Sequence, residues 1–220
     1  MRIVEKLLAV FCLLLAISAP LSATPKTHVV AFGHWTTTRI LTGMNQDQPL
    51  EIKIRPLLVD GLVKVYTFGT PHEITDRLLV VRRMLRINDS LPSEGAASHW
   101  IWQRAGWLIV DRATGHLTPT TLPQFDPEQS DAAWYRDYTA YCGSSDDGQK
   151  LFAMVVQLGR RKPLLKKQIA ESDAATCSSS TWQRQPPRVT FTWNSDQKLT
   201  FTIHGTSIEL TDAPDDQNPE

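Results

Sequence analysis

The stretch "YCGSSDDGQKLFAM", Tyr141 to Met154, places a cysteine beside a polar turn and then changes abruptly to an apolar run. The residues before the turn favour a strand, and Gly148 can adopt a positive φ without steric cost. The apolar run that follows is typical of a buried strand. The stretch therefore predicts a hairpin with a tight turn. The alternative is an active-site loop built around the Cys142 thiol.

The same pattern of strand, turn and strand recurs along the chain, with hydrophobicity alternating at a period of two. Hairpin turns are predicted at Asp60–Gly61, at Gly115 and within "NSDQ", 194–197. The fourteen prolines disfavour long helices. We predict an all-β protein of about ten to twelve strands, built from antiparallel hairpins.

One short helix is predicted near 127–137, where "DPEQSDAAWYRD" begins. Asp126 is a suitable helix cap, and Pro127 suits the first helical position. Gln129 stands three residues after the cap, as in a capping box.

The N-terminus has the pattern of a signal peptide. Arg2 and Lys6 precede the apolar run Leu7 to Ile17, which is too short to span a membrane. The small residues that follow indicate cleavage after Ala23. We therefore expect a secreted or periplasmic protein with residues 1–23 removed and no integral membrane segment afterwards. Residues 24–211 are predicted to form a single all-β domain, followed by a flexible acidic tail at 212–220.

The predicted mature chain is nearly neutral, because removal of residues 1–23 leaves one more acidic than basic side chain. Nucleic acids and anionic membrane surfaces require a concentrated basic field, so neither is expected as the main partner. Two cysteines remain, Cys142 and Cys177. Oxidising compartments allow such a pair to form a disulfide, and a free Cys142 nucleophile is the alternative.

Two stretches resemble the blades of TolB-like β-propellers. "SDDGQKLFAM", Ser145 to Met154, resembles their Ser-Pro-Asp-Gly-x-x-Leu turn, with Asp146 at the proline position. "WLIVDRATGHLTPTTL", Trp107 to Leu122, is similar to the outer hairpin of the same blades. The resemblance implies about four blades, at roughly 40 to 45 residues each, and so a small or open propeller-like arrangement. A two-sheet β-sandwich is the alternative. The whole chain is also similar to exported bacterial proteins, a likeness that implies no activity.

Local signatures of catalysis and metal binding are missing from the sequence. No zinc-site spacing is found among the histidines, which are His28, His34, His72, His99, His116 and His204. "GSSDDG", Gly143 to Gly148, departs from a serine-hydrolase elbow because Asp147 stands where the second glycine is needed. Glycine-rich phosphate-binding loops are also missing, and no cofactor or metal is predicted.

Two groups of aromatic residues are candidate ligand-binding residues. The first is the run Trp134, Tyr135, Arg136, Asp137 and Tyr138, and the second is Trp100 with Trp102 on one strand face. Rigid aromatic rings beside charged groups are common in sugar-binding and peptide-binding surfaces. The alternative for both groups is packing within the core or between sheets.

Two functions remain open. The first is a non-enzymatic exported protein that binds a partner protein, a peptide or a glycan. The second is an envelope hydrolase whose general acid and base come together only in space. Its candidate residues are His72 or His99 with Asp76, Asp89 or Asp137.

Overall fold

The computed structural model describes residues 28–42, 45–90, 98–171 and 177–212. These residues form fifteen β-strands and no helix, which confirms the all-β prediction. The strands are β1 Val30–Phe32, β2 Thr36–Thr42, β3 Asn45–Val59, β4 Leu62–Glu73, β5 Leu78–Asn88, β6 Trp100–Asp111, β7 His116–Pro119, β8 Ala133–Tyr135, β9 Tyr138–Ser144, β10 Lys150–Gln157, β11 Leu165–Glu171, β12 Thr181–Arg184, β13 Pro187–Trp193, β14 Gln197–His204 and β15 Ser207–Asp212. The count exceeds the predicted one because several strands are only three or four residues long. The predicted signal peptide and residues 213–220 of the predicted tail lie outside the described residues.

The strands form three sheets instead of the two of a sandwich. The ring sheet contains β1 to β7, the middle sheet contains β8 to β11, and the outer sheet contains β12 to β15. The middle and outer sheets are simple antiparallel meanders, and β4 to β7 form a third meander within the ring sheet. Hairpins between consecutive strands therefore build most of the described fold, as the turn signals predict; β1 instead pairs with β3, and β7 and β8 lie in different sheets.

Five strands of the ring sheet curl into a partial ring. Strand β3 pairs with both β2 and β4, and β5 joins β4 to β6. The ring closes through a single parallel pair, Ile40 of β2 with Trp102 of β6. Ile40, Ile54 and Met84 are buried together inside the ring, so its interior is a small apolar core.

Strands β9 and β10 of the middle sheet are buried on both faces, and this explains the continuous apolar run of β10. Ala153 and Val155 face the outer sheet, where they pack in one cluster with Phe191. Phe152 and Met154 point the opposite way and join the cluster that packs against the ring sheet. A strand buried on both sides loses the alternation of polar and apolar residues.

A disulfide crosses the interface between the middle and outer sheets. Cys142 of β9 is bonded to Cys177, and their Cα atoms are 6.3 Å apart. Cys177 also pairs with Trp193 of β13 as an isolated bridge. The predicted disulfide is confirmed, and Cys142 is not a free thiol nucleophile.

The turn at Ser145 to Gly148 is a tight hairpin turn, as predicted. Gly148 has a φ of 72°, and its amide donates to the Ser145 carbonyl at 2.8 Å. Ser145 Oγ accepts a bond from the Lys150 amide at 2.9 Å, and its hydroxyl donates to Asp147. The polar side chains of this turn therefore hold its backbone, and β9 pairs with β10 across it.

The predicted helix near 127–137 is wrong. The Asp126 carboxylate accepts the Glu128 amide at 2.8 Å, and the Ser130 amide bonds to the Asp126 carbonyl at 2.8 Å. The local capping signal thus produces one helical turn and no more. Asp131 then pairs with Arg82 of the ring sheet at 2.6 Å, and the following residues enter the middle sheet as β8. Tertiary contacts override the local helical preference.

We expect Gly148→Val to lower the free energy of unfolding by about 1–2 kcal/mol, because a β-branched residue is strained at positive φ. No atom lies within 4 Å of a Cβ built at Gly148, so crowding contributes nothing. Thermal unfolding should shift down by about 2–8 °C.

Gly106→Val is the matched control. Its Cβ also has open space, and Gly106 does not have a positive φ. It should melt close to the wild type. Equal melting temperatures for the two variants would contradict the backbone explanation.

The disulfide closes a loop between residues 35 apart in sequence. Loss of such a crosslink is expected to cost about 2–4 kcal/mol and to lower the melting temperature by about 5–15 °C. A Cys142→Ala, Cys177→Ala double variant should show this shift with or without reductant. The wild type should show it only with reductant. A wild type that melts unchanged after verified reduction would argue against the prediction.

Candidate functional site

The ring of Trp134 packs at the interface between the middle and ring sheets. Its centroid lies 5.4 Å from that of Trp107, edge to face, and 6.1 Å from the His72 ring. His72 Nε2 is in turn 2.8 Å from the carbonyl of Arg136. Trp134 thus belongs to an interface between sheets.

The rest of the predicted run, 135–138, makes contacts of the same kind. Tyr135 stacks on Trp182 of the outer sheet at 5.4 Å, and the Tyr138 hydroxyl donates to the Gly205 carbonyl at 3.0 Å. Asp137 accepts a bond from the Gln157 side-chain amide at 2.8 Å. Arg136 adopts a φ of 52° in the β8–β9 turn, with its guanidinium 5.4 Å from the Tyr135 ring. These rings mainly join sheets.

Trp100 and Trp102 have different surroundings. They lie on one face of β6, paired in register with Asn88 and Arg86 of β5. The Arg86 guanidinium carbon is 5.4 Å from the Trp100 ring and 6.0 Å from the Trp102 ring. Trp100 is 51% exposed, whereas Trp102 packs against the ring interior. This face of β5 and β6 therefore presents the Arg86 guanidinium and the Trp100 indole to solvent.

These residues line an open cleft of about 440 Å³, here called the tryptophan cleft. Its lining residues are Thr38, Arg39, Ile40, Arg86, His99, Trp100, Ile101 and Trp102. The volume falls within the range of small-ligand sites, roughly 300–1,000 Å³. Strands β2, β5 and β6 supply the walls, so the cleft is built on the framework of the ring sheet.

The charge in the tryptophan cleft is mainly positive. Arg39 is paired with Glu51 at 3.5 Å, but both side chains are largely exposed. Within the described ranges, no carboxylate lies within ion-pair distance of Arg86. A guanidinium held over aromatic rings keeps its hydrogen-bond donors available, and these match a carboxylate or a row of hydroxyl groups.

The residues suggested for acid–base chemistry have different surroundings in the structure. His72 contacts a backbone carbonyl, and Asp137 contacts the Gln157 amide. His99 approaches Asp89 at 3.9 Å, but both side chains are well exposed. The Asp76 carbonyl accepts a bond from Arg112. Among the residues described, no group of three or more metal-ligating side chains could hold a metal ion.

Sequence analysis missed the arginines of the ring sheet. Arg82, Arg86 and Arg104 lie on the same sheet face as Trp102, as their register across β5 and β6 shows. The available signal is the position of charged residues within "VVRRMLRIN" and "WIWQRAGW", two otherwise apolar strands. Charged residues within otherwise apolar strands need polar partners or access to solvent, so they indicate a polar wall or a cleft.

The described ranges contain no helix of the length and apolarity that crossing a membrane requires. No protein-family model matches the chain, and a comparison with curated proteins finds no match. Functional inference therefore rests on the clefts, their charges and their exposed rings.

Proposed function

We propose that the protein is a non-enzymatic binding module that recognises its ligand in the tryptophan cleft. The observation that carries this proposal is the half-exposed Trp100 beside Arg86. The large rings of the 134–138 run are engaged between sheets, whereas Trp100 has a solvent-facing surface. Removing this surface from water on ligand binding would release the corresponding hydrophobic free energy.

A glycan or a peptide segment of a partner protein suits this cleft. Indole faces stack on sugar rings and on apolar side chains, and Arg86 supplies directed donors to hydroxyl or carboxylate groups. The side chains are attached to paired strands, which reduces the entropy lost when a ligand orders them.

The hydrolase alternative depends on one observation. His99 lines the tryptophan cleft and lies 3.9 Å from Asp89, so a histidine and a carboxylate stand together at its rim. A hydrolase would turn over a bound glycan or peptide and lose turnover in a His99→Gln variant. A binding module would release the ligand unchanged.

We propose export to the periplasm or the extracellular space. The disulfide supports this proposal, because such bonds persist in oxidising compartments. The charged start and short apolar run of the sequence support it independently. The relation to TolB-like blades stays a prediction.

The binding proposal predicts a specific effect of Trp100→Ala. Glycan and peptide arrays probed with the mature protein should identify a ligand. Trp100→Ala and Arg86→Ala should each weaken its binding at least tenfold, or about 1.4 kcal/mol, because each removes a group that faces the cleft. Titration calorimetry on the best array ligand would measure the loss.

Trp35→Ala is the matched control, because Trp35 is 47% exposed and does not line the tryptophan cleft. Its binding should stay within twofold of the wild type. A ligand that binds Trp100→Ala as tightly as the wild type would refute the assignment of the cleft.

Export predicts that the full-length protein, produced in a bacterial host with an envelope, is recovered outside the cytoplasm and begins at Thr24. Intact-mass measurement of the recovered protein tests the cleavage point. A version lacking residues 2–23 should stay in the cytoplasm with Cys142 and Cys177 reduced. Recovery of exported protein with residues 1–23 attached would be the contrary result.

A further inference from the structure

We propose a second binding site, for a small organic anion that carries a carboxylate and a planar aromatic ring. It lies in the cleft between the ring sheet and residues 126–132, here called the arginine cleft. Arg104 and Lys53 would bind the carboxylate, and Trp35 with Phe68 would contact the ring. This inference is independent of the tryptophan cleft, and the two clefts share no lining residue.

The arginine cleft has a volume of about 650 Å³, enough for a small ligand. The ring sheet provides one wall, and the segment that carries Gln129, Ser130 and Asp131 provides the other. Arg82 fixes that segment to the sheet. Its terminal nitrogens donate to the Asp131 carboxylate at 2.6 Å and to the carbonyls of Pro127 and Ser130 at 2.9 and 2.7 Å.

Arg82 is buried and Asp131 is 56% exposed, and the two side chains already neutralise each other. The Arg82 side chain is 6% exposed, and the second oxygen of Asp131 accepts the Ser179 hydroxyl at 2.9 Å. Both side chains therefore connect the two walls of the cleft. Arg82 is a positioning residue here, and Asp131 has little remaining capacity to balance another cation.

Arg104 and Lys53 leave the cleft with positive charge. Arg104 donates to the Glu128 carbonyl at 3.2 Å, and its guanidinium carbon is 6.0 Å from the Phe68 ring. In the part of the chain that the structure describes, neither cation has an ion-pair partner, and Asp131 is the one carboxylate that lines this cleft. Burial lowers the pKa of Arg82, and the neighbouring charge of Arg104 lowers it further.

Three hydrogen-bond donors in the same walls are buried and unsatisfied. The Nε atoms of Arg82 and Arg104 and the indole nitrogen of Trp107 are buried with no hydrogen-bond partner among the described residues. Unsatisfied buried donors are costly, and a nearby negative charge offsets part of that cost. Excess donors and excess positive charge both favour an anion.

The aromatic walls indicate that the anion carries a ring. Trp35 is 47% exposed, and the Arg55 guanidinium lies 4.4 Å from its centroid, which fixes the indole on one side. Phe68 lies between the two arginines, 4.8 Å from Arg82 and 6.0 Å from Arg104. A planar ligand can contact these rings while its carboxylate reaches Arg104.

The probe is phenylacetate, with phenylacetamide as its neutral counterpart. We expect the folded protein at pH 7 and low salt to bind phenylacetate at least tenfold more tightly than the amide, measured by ligand-observed NMR titration. Binding should weaken in 0.5 M salt, because the interaction is partly electrostatic. Arg104→Gln should weaken phenylacetate binding at least tenfold.

Two control variants test whether arginines outside the arginine cleft contribute to phenylacetate binding. Arg86→Gln lies in the tryptophan cleft and Arg160→Gln on an exposed turn, so both should bind phenylacetate within twofold of the wild type. Lys53→Gln, at an exposed position, gives a second test if Arg104→Gln does not fold, with an expected loss of about threefold or more.

Several outcomes would overturn the proposal. These are undetectable phenylacetate binding, equal binding of the amide, or unchanged binding in folded Arg104→Gln or in Lys53→Gln. Loss of phenylacetate binding in Arg86→Gln alone would show that the anion binds in the tryptophan cleft instead. Trp100→Ala should not affect phenylacetate binding, so failure of the proposed function and failure of this site are distinguishable.

Discussion

Burial of both faces of β9 and β10, in the middle sheet, is the constraint on which the rest of the fold depends. Ala153 and Val155 require an apolar surface on one side, and Phe152 and Met154 require one on the other. A single neighbouring sheet would expose one of these sets to water, at roughly 1.5–3 kcal/mol for each large apolar side chain. The ring sheet and the outer sheet satisfy both sides. The disulfide from Cys142 to Cys177 then connects one of these interfaces covalently.

The ring sheet meets a different constraint, because its ring closes through one residue pair and encloses a small apolar core. Arginine stems can pack beside such a core while their charged groups reach the ends. Arg82 and Arg86 occupy this position on β5, on either side of Met84. The aromatic rings beside them extend the packing; the Arg86 side chain stays exposed, whereas the Arg82 charge is buried and paired with Asp131. Clefts with cationic and aromatic walls follow directly from this arrangement.

Features set by neighbouring residues were predictable from the sequence. Gly61 and Gly148 have positive φ values in the predicted turns, and the period of two placed Trp100 and Trp102 on one face. The predicted helix failed because the cap at Asp126 specifies only one turn and the contact between Arg82 and Asp131 joins residues 49 apart. The arginine cleft was not predictable either, because its lining residues are also distant from one another in sequence. Its residues meet through strand register and a bulge between Arg82 and Met84.

The positions of the two clefts on β6 bear on how each can act. Trp100 and Trp102 line one cleft, and Arg104 and Trp107 line the other, so a single strand connects them. The buried Ile40, Ile54 and Met84 pack inside the ring that carries both. Because the two clefts share no lining residue, substitution of a solvent-facing side chain in one cleft need not disturb the other. The same ring sheet therefore presents two walls of different chemistry, one with an exposed indole beside an arginine and one with positive charge that has no ion-pair partner among the described residues.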